Sequence, residues 1–382
     1  MDSRHVRVRH WISHSRSPAA KLEQLFAGTL ANFGMWRSLV ARVVRDDEVA
    51  GSNPVIPTND PLVITIRDGK GIFSYRKAAV TTPHDRRYEK HVPAVNGQHI
   101  RRSHDTWHWR DSQVHLDRVG APDAPVRILL VHGAGGNSDA FWPYAAHFAS
   151  LGAHVTVPDL PGYGMTVTDR PERIRYDDWR ELLIDLLRAE EDERPLIILG
   201  ASMGGLLAYD AAAATGLAAR LIVTCLLDPR DPRVRARLTW HPLLARLTGP
   251  FLKLVQGPPA NLRVPIRWIA DIRHISNDPG LVREVVRDRR GGGGRVPLGW
   301  IRSYMESAPL IEPEDFTDTP VLLLHPGDDR WTPLEISRPF FERIGAQKSW
   351  RLLENAGHFP VEEPGFEQMM RAVKHVMEST HD

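Results

Sequence analysis

The amino-acid sequence predicts an α/β fold with a mostly parallel central sheet and helices on both of its faces. From about residue 126 onward, continuous apolar strands alternate with helical segments. A strand that is apolar along its whole length is typical of a parallel sheet covered on both faces. The alternation stops after Asp228 and resumes near residue 320, which predicts one long insertion.

The individual elements follow from local patterns. Residues 62–66 (LVITI) and 72–76 (IFSYR) flank Asp68 and Gly69, which predicts a β-hairpin. Two further strands are expected at 99–102 and 113–119. The alternating part predicts strands at 126–133, 154–159, 196–200, 219–228, 320–327 and 348–354, and helices at 138–150, 176–190, 202–214, 333–343 and 365–378.

The first part of the chain differs from the rest. Apolar residues recur at steps of three and four between Pro18 and Val44, which predicts an amphipathic helix, and residues 46–61 have the proline content of a linker. Because this segment is basic, residues 18–45 are a candidate for contact with an anionic membrane surface. Packing against the core, or between copies of the chain, is the simpler alternative.

The expected organisation has three parts. An extension (1–60) precedes a core in two pieces (61–230 and 313–382), and these pieces are separated by an insertion (231–312). The helical periodicity of the insertion is broken, and it contains four consecutive glycines at 291–294.

The composition limits the classes of function. The chain has 382 residues, 42% of them hydrophobic, which suits one large domain with an extension or insertion. A formal net charge of +2 gives no reason to expect a nucleic-acid partner. The single cysteine, Cys225, cannot form an intramolecular disulfide. With no transmembrane stretch or secretory signal recognisable, we expect a cytoplasmic protein. Without an HExxH or CxxC pattern, we expect no metal and no cofactor.

The strongest chemical signal is Gly200-Ala201-Ser202-Met203-Gly204, between an apolar strand and a helix. A nucleophile must project from a very tight strand-to-helix turn, and small residues two positions away let the strand and helix approach each other. Ser202 is therefore the candidate nucleophile. The alternative is a serine that merely caps the helix.

A second glycine-rich segment, His132 to Asn137, follows the strand at 126–131. Acyl transfer builds negative charge on a carbonyl oxygen, and two backbone N–H groups stabilise it. We assign these donors to Met203, the residue after the nucleophile, and to Ala134. His132 is expected to shape the loop, and a plain tight turn is the alternative. The phosphate-loop pattern is absent.

Two later strand ends supply an acid and a base. Asp328 and Asp329 follow the apolar strand at 320–327, and Asp228 ends an earlier one, so each is a candidate acid. His358 lies in the segment NAGHFP after the last strand, where it is a candidate base that takes the Ser202 proton.

These segments resemble the α/β-hydrolase superfamily over roughly residues 100–230 and 313–382. The resemblance includes HGAGG, DLPGYG at 159–164, GASMGG, PVLLLHPGDDRWTP and AGHFPVEEP. It implies the order serine, acid, histidine along the chain and selects Asp329 as the acid that orients His358. The aspartate nucleophile of epoxide hydrolases and haloalkane dehalogenases of this fold is replaced here by Ser202.

The resemblance also implies a fold detail and a function. Residues 231–312 would be a helical lid over the site, bringing Trp240, Trp268, Trp300 and Tyr304 near the pocket, although each could instead belong to the lid core. The implied activity is hydrolysis of a small-molecule carboxylic ester or related acyl substrate. Carbon–carbon bond hydrolysis, thioester cleavage and a receptor that binds a ligand without turnover are the alternatives.

Overall fold

The computed structural model describes residues 63–68, 71–76, 86–95, 100–238, 255–268 and 270–380. The strands in chain order are β1 (Val63–Asp68), β2 (Gly71–Arg76), β3 (Arg102–Trp109), β4 (Ser112–Val119), β5 (Val126–Val131), β6 (Ala153–Pro158), β7 (Val167–Thr168), β8 (Leu196–Gly200), β9 (Arg220–Val223), β10 (Arg263–Pro265), β11 (Arg295–Pro297), β12 (Val321–Pro326) and β13 (Lys348–Leu353). The α-helices are α1 (Ser138–Ser150), α2 (Tyr176–Ala189), α3 (Gly204–Thr215), α4 (Pro232–Leu238), α5 (Pro279–Arg287), α6 (Leu298–Glu306), α7 (Leu334–Arg343) and α8 (Gly365–Glu378).

The central sheet has an antiparallel half and a parallel half. Within the described residues it has 11 strands in the order β1-β2-β3-β4-β6-β5-β8-β9-β12-β13, with β7 beside β4. The strands from β1 to β4 are antiparallel, and so is the pairing of β4 with β6. Every pairing from β6 to β13 is parallel. The predicted α/β class with a mostly parallel sheet is confirmed.

Helices cover the parallel half. Helix α1 packs against β6 and contacts α8, whereas α2 packs on α3, which lies against β8 and β9. The strands β5, β8, β9 and β12 are buried along nearly their whole length, as expected for strands with helices above and below. This arrangement gathers the carboxyl ends of the parallel strands at one edge of the sheet.

Most predicted elements of the core are confirmed, and two differ. The hairpin is present as β1 and β2, although Gly69 of its turn lies outside the described residues. The strand expected at 99–102 is wrong: the strand is β3, and the two ranges share only Arg102. Half-buried polar residues dominate β3, so it lacks an apolar period. The strand expected at 219–228 ends at Val223, because its neighbour β8 turns into a helix after Gly200.

The insertion is helical but not only helical. Its described part contains α4, α5 and α6 together with several short 3₁₀ turns, which agrees with the expected broken helical pattern. The sequence did not suggest β10 and β11, which form an antiparallel ribbon. Each of these strands has three residues, Arg-Val-Pro, which is too short for a period to be recognised.

The N-terminal expectations cannot be compared with the structure. The amphipathic helix expected between Pro18 and Val44, and the linker at 46–61, lie outside the described residues. In the part of the chain that is described, no helix combines the length and the apolar character needed to cross a membrane.

Candidate active site

Ser202 occupies a strained turn between β8 and α3. Its φ angle is 56°, in the left-handed region that side chains other than glycine rarely adopt. A Cβ atom at Gly200 would collide with the carbonyl oxygen of Gly204, and one at Gly204 would collide with the carbonyl oxygen of Val131. Small residues are therefore required on both sides of the serine. A backbone strained in this way costs about 1–3 kcal/mol and persists only where the surroundings hold it.

Hydrogen bonds from backbone N–H groups hold this turn. The Ser202 N–H donates to Thr224 Oγ1 at 2.9 Å, directly after β9. The Ala201 N–H donates to the Val131 carbonyl at 2.9 Å, and the Gly205 N–H donates to the Ser202 carbonyl at 2.8 Å. Thr224 is not among the residues predicted from the sequence, because its only sequence signal is its position at the end of an apolar strand.

The structure brings Ser202, His358 and Asp329 into one hydrogen-bonded line. His358 Nε2 lies 2.8 Å from Ser202 Oγ, although 156 residues separate the two. His358 Nδ1 lies 2.7 Å from Asp329 Oδ2 on its other side. Both His358 and Asp329 are buried, whereas Ser202 is half-buried. The imidazole is thus placed between a hydroxyl and a carboxylate.

The Asp329 carboxylate is held by its own loop. Its Oδ1 accepts the backbone N–H groups of Trp331 and Thr332, each at 2.8 Å. Its Oδ2 accepts the Thr332 hydroxyl at 2.8 Å. Burial alone would raise the pKa of Asp329, but the charge of His358 and these hydrogen bonds outweigh it and hold the pKa well below its ordinary value. Asp329 is therefore ionised at neutral pH. Thr332 is likewise not among the residues predicted from the sequence.

The other two candidate acids lie elsewhere. Asp328 is exposed, and its backbone N–H donates to the Ala356 carbonyl, as in a turn. Asp228 is buried, and its carboxylate accepts the Arg230 guanidinium at 2.9 Å. Asp329 is thus the candidate acid that the structure places against His358.

His132 shapes the glycine-rich loop. Its ring is fully buried, with Nδ1 2.8 Å from the Gly133 carbonyl, while Nε2 accepts the Leu160 N–H at 3.0 Å. Burial lowers the pKa of His132 to about 4, so the ring is neutral at neutral pH. A neutral ring can donate from one nitrogen and accept at the other, as these two contacts require.

The glycine-rich loop lies directly against the nucleophile turn. A Cβ atom on Gly133 would be 3.0 Å from Ser202 Cβ and 3.1 Å from the Met203 nitrogen. Ala134 lines the same cavity as Ser202, and the buried Met203 is the N-cap residue of α3. The two segments that carry the expected oxyanion donors therefore meet beside the serine hydroxyl.

A small apolar cavity of about 50 Å³ opens beside Ser202 and His358. Helix α1 contributes Phe141, Tyr144 and Phe148 to its wall, and Met369 comes from α8. The insertion contributes Ile275 and Val285. The cavity is thus enclosed by both the core and the insertion, and almost all of its lining side chains are apolar.

Three of the four insertion aromatics named from the sequence lie in the described part of the chain, away from the cavity. Trp300 packs on Trp179 with ring centroids 4.6 Å apart, and Tyr304 packs on Tyr176 at 5.0 Å. Both are buried between α6 and α2 and do not line the cavity, so for these two the alternative expectation, a place in packed core, holds. Large aromatic rings gain more from this mutual packing than from facing a narrow cavity. Trp268 does not line the cavity either, and Trp240 lies outside the described residues.

The amino-acid sequence is similar to those of named bacterial proteins. Phospholipase YtpA of Bacillus subtilis is 24% identical over 276 residues, which cover 66% of this chain and 95% of the relative. A pimeloyl-[acyl-carrier protein] methyl ester esterase of Neisseria meningitidis is 28% identical over 254 residues, covering 64% of this chain and 74% of the relative.

Solved structures share the fold. A soluble variant of monoglyceride lipase from Saccharomyces cerevisiae superposes with a TM-score of 0.59 at 17% identity, covering 75% of this chain and 98% of that chain. Residues 128–368, well over half of the sequence, match the model of the Alpha/beta hydrolase family. The chain therefore belongs to the alpha/beta hydrolase family.

Proposed function

We propose that this chain hydrolyses carboxylic esters through an acyl-enzyme formed on Ser202. The observation that carries the proposal is the hydrogen-bonded line from Ser202 Oγ to His358 at 2.8 Å and from His358 to Asp329 at 2.7 Å. The chain is a hydrolase of the carboxylic ester type, a class supported by relatives that are named phospholipase, methyl ester esterase and lipase.

Acylation begins when Ser202 Oγ attacks the ester carbonyl carbon while its proton passes to His358 Nε2. The resulting tetrahedral oxyanion accepts the N–H groups of Ala134 and Met203. The carbon–oxygen bond to the alcohol then breaks, and the alcohol leaves with the proton from His358. The acyl group remains on Ser202.

Deacylation repeats these steps with water. His358 takes a proton from water, whose oxygen attacks the acyl carbon, and the same two N–H groups bind the second oxyanion. Ser202 then leaves with the proton from His358, and the carboxylic acid is released. Throughout, the ionised Asp329 accepts the His358 Nδ1–H, which keeps Nε2 free to accept a proton and stabilises the imidazolium.

The cavity indicates the size of the group that lies against Ser202. One buried water needs about 10–15 Å³ of such space, so about 50 Å³ holds three to five water-sized groups. The apolar wall favours a hydrocarbon over a polar group. We therefore propose short, apolar acyl groups of about two to four carbons, by the same estimate.

The test is a series of p-nitrophenyl esters of rising chain length, with Ser202→Ala as the control. We expect the highest kcat/KM for short chains and a loss of roughly 10⁴–10⁶-fold in kcat for Ser202→Ala. Full activity of Ser202→Ala would contradict the mechanism. Acyl thioesters and β-diketones, assayed in parallel, separate thioester and carbon–carbon bond cleavage from ester hydrolysis. Labelling by a fluorophosphonate with no turnover of any of these would instead indicate a ligand-binding role.

A further inference from the structure

A buried carboxylate outside the triad joins three distant parts of the chain. Asp288 follows α5 in the insertion and is only 5% exposed. Its Oδ2 accepts the Tyr88 hydroxyl at 2.8 Å and the Asn137 side-chain amide at 2.8 Å. Its Oδ1 accepts the Arg290 N–H at 3.0 Å. A buried carboxylate with this many donors is fixed in place.

Asn137 connects this carboxylate to the glycine-rich loop. It is the last residue of that loop, and its Oδ1 accepts the Ala140 N–H at 2.9 Å, which caps α1. Its other side-chain atom, Nδ2, donates to Asp288. One amide therefore holds the end of the loop to α1 and to the insertion simultaneously.

The four glycines at 291–294 complete the contact. The N–H groups of Gly291 and Gly293 donate to the Asp288 carbonyl at 3.0 and 2.8 Å, which folds the run into a tight turn. A Cβ on Gly291 would lie 2.7 Å from the Gly135 carbonyl oxygen, and one on Gly135 would lie 3.2 Å from Gly292 Cα. The backbone of the four glycines at 291–294 therefore packs directly against the backbone of the glycine-rich loop.

The turn that carries Tyr88 is held to one helix on each side. Tyr88 lies in the short turn Arg86–His91, where Glu89 accepts the Trp142 indole N–H of α1 at 2.8 Å. In the same turn Lys90 pairs with Glu284 of α5 at 2.7 Å. This turn therefore bridges the core helix and the insertion helix, and it presents the Tyr88 hydroxyl to Asp288.

We propose that Asp288 is a positioning residue that holds the glycine-rich loop, and with it the Ala134 N–H, where the oxyanion forms. The inference rests on the proposed function, because it assigns Ala134 the role described there. An oxyanion donor acts mainly in the transition state, and a shift of about 1 Å can cost 10²-fold in rate. Loosening the loop therefore lowers kcat and leaves KM nearly unchanged.

The test is Asp288→Asn, which keeps the shape but places an amide opposite the Asn137 amide. We expect kcat to fall about 10–100-fold with KM within about twofold. The rate of Ser202 labelling by a fluorophosphonate should fall by a similar factor, since the same donors bind the phosphonyl oxygen as Ser202 displaces fluoride from phosphorus. Tyr88→Phe removes one donor only and should give a smaller decrease, which keeps the proposal testable if Asp288→Asn folds poorly.

A rescue separates positioning from general destabilisation. In the double variant Asn137→Asp/Asp288→Asn the amide and the carboxylate exchange sides, so kcat should recover by at least about fivefold relative to Asp288→Asn. Glu342→Gln, which removes only the exposed pair with Arg338 on α7, is the control and should keep the wild-type kcat.

Two outcomes overturn the proposal: a wild-type kcat and labelling rate in both Asp288→Asn and Tyr88→Phe, or a kcat loss that the double variant does not recover. Failure of the proposed function looks different, because the wild-type chain itself would then neither hydrolyse esters nor be labelled at Ser202.

Discussion

The two halves of the central sheet use polar residues in opposite ways. In the parallel half the central strands β5, β8, β9 and β12 are mostly apolar and buried, and the polar residues Ser202, Thr224 and Asp329 come after the ends of β8, β9 and β12. In the antiparallel half β3 and β4 themselves carry charged residues. The fully buried Asp117 of β4 accepts the Arg102 guanidinium of β3 at 2.8 Å, and His115 Nε2 lies 3.2 Å from the same carboxylate.

The polar residues of the parallel half are placed to contact a substrate, whereas those of the antiparallel half hold neighbouring strands together. At the ends of parallel strands a side chain faces a cavity, where a substrate can reach it. Within the antiparallel strands the charged groups contact each other across the pairing, as Arg118 does with Asp105 at 3.1 Å. A substitution of the same kind should therefore change activity in one half and stability in the other.

The largest expected effect is that of Asp329→Asn. An amide cannot hold the His358 tautomer that leaves Nε2 free, so kcat should fall by roughly 10⁴-fold while the protein remains folded. Asp328→Asn is the matched control, because this neighbouring carboxylate is exposed and should leave kcat unchanged. The kcat of both variants is measured by steady-state kinetics on a p-nitrophenyl ester. A loss of kcat in Asp328→Asn with an unchanged kcat in Asp329→Asn would assign the acid to Asp328.

The same change in the other half, Asp117→Asn, should affect folding. Breaking a buried ion pair costs about 3–5 kcal/mol of the free energy of unfolding. Because the Arg102 guanidinium also donates to Asp139 at 2.7 Å, we expect a loss toward the lower end of that range. The kcat of the fraction that remains folded should be close to that of the wild type. Urea unfolding and kinetics measure the two quantities. A lost kcat with unchanged stability would show that the comparison of the two halves is mistaken.

The sequence predicts the parallel half of the sheet better than the antiparallel half. Ser202 was identifiable because it lies between small residues directly after an apolar strand, which is a local feature, and His358 because it follows the last strand in the order serine, acid, histidine. The strand β3 was misplaced because its charges are satisfied by β4, as in the pair Arg102–Asp117, and such partners leave no period in the sequence. Cross-strand pairing, which is not local, decides that region.

The residues around the triad were missed for a related reason. Thr224 supports Ser202 from the next strand, and Asp288 contacts Asn137 across 151 residues of chain. The four glycines gave no sign of a partner, because close backbone approach is visible only once Gly135 and Gly291 are seen together. The proposed catalytic residues lie in recognisable sequence motifs, whereas the residues that support them are recognisable only from tertiary contacts.

A smaller effect is expected for Thr224→Val. Valine has the same shape but no hydroxyl, so the Ser202 N–H loses its acceptor, at a cost of about 1–3 kcal/mol. We expect kcat to fall about tenfold because that cost falls on the strained turn that carries the nucleophile. Thr224→Ser keeps the acceptor and should retain most of the activity. Equal rates for the valine and serine variants would rule out this supporting role.

The smallest effect concerns pH and stability. Burial alone would lower the pKa of His115, but its hydrogen bond to Asp117 and the charges of Asp159 and Asp117 raise it above 6.5. A raised folded-state pKa means that the stabilisation is fully present below 6.5 and is lost as pH rises through the folded-state pKa. The free energy of unfolding is measured by urea titration below pH 6.5 and above the folded-state pKa of His115. As pH rises between these values, it should decline more in the wild type than in His115→Asn. Parallel profiles for the two proteins would contradict the assignment.

The central claim, that Ser202 carries the acyl group, has a direct measurement. The enzyme is mixed with a short-chain p-nitrophenyl ester, quenched with acid during turnover, and digested, and the acylated peptide is identified by mass spectrometry. The account predicts one acyl group, on Ser202, which is absent from Ser202→Ala. Turnover with an unmodified Ser202 peptide, or with the acyl group on another residue, would contradict it.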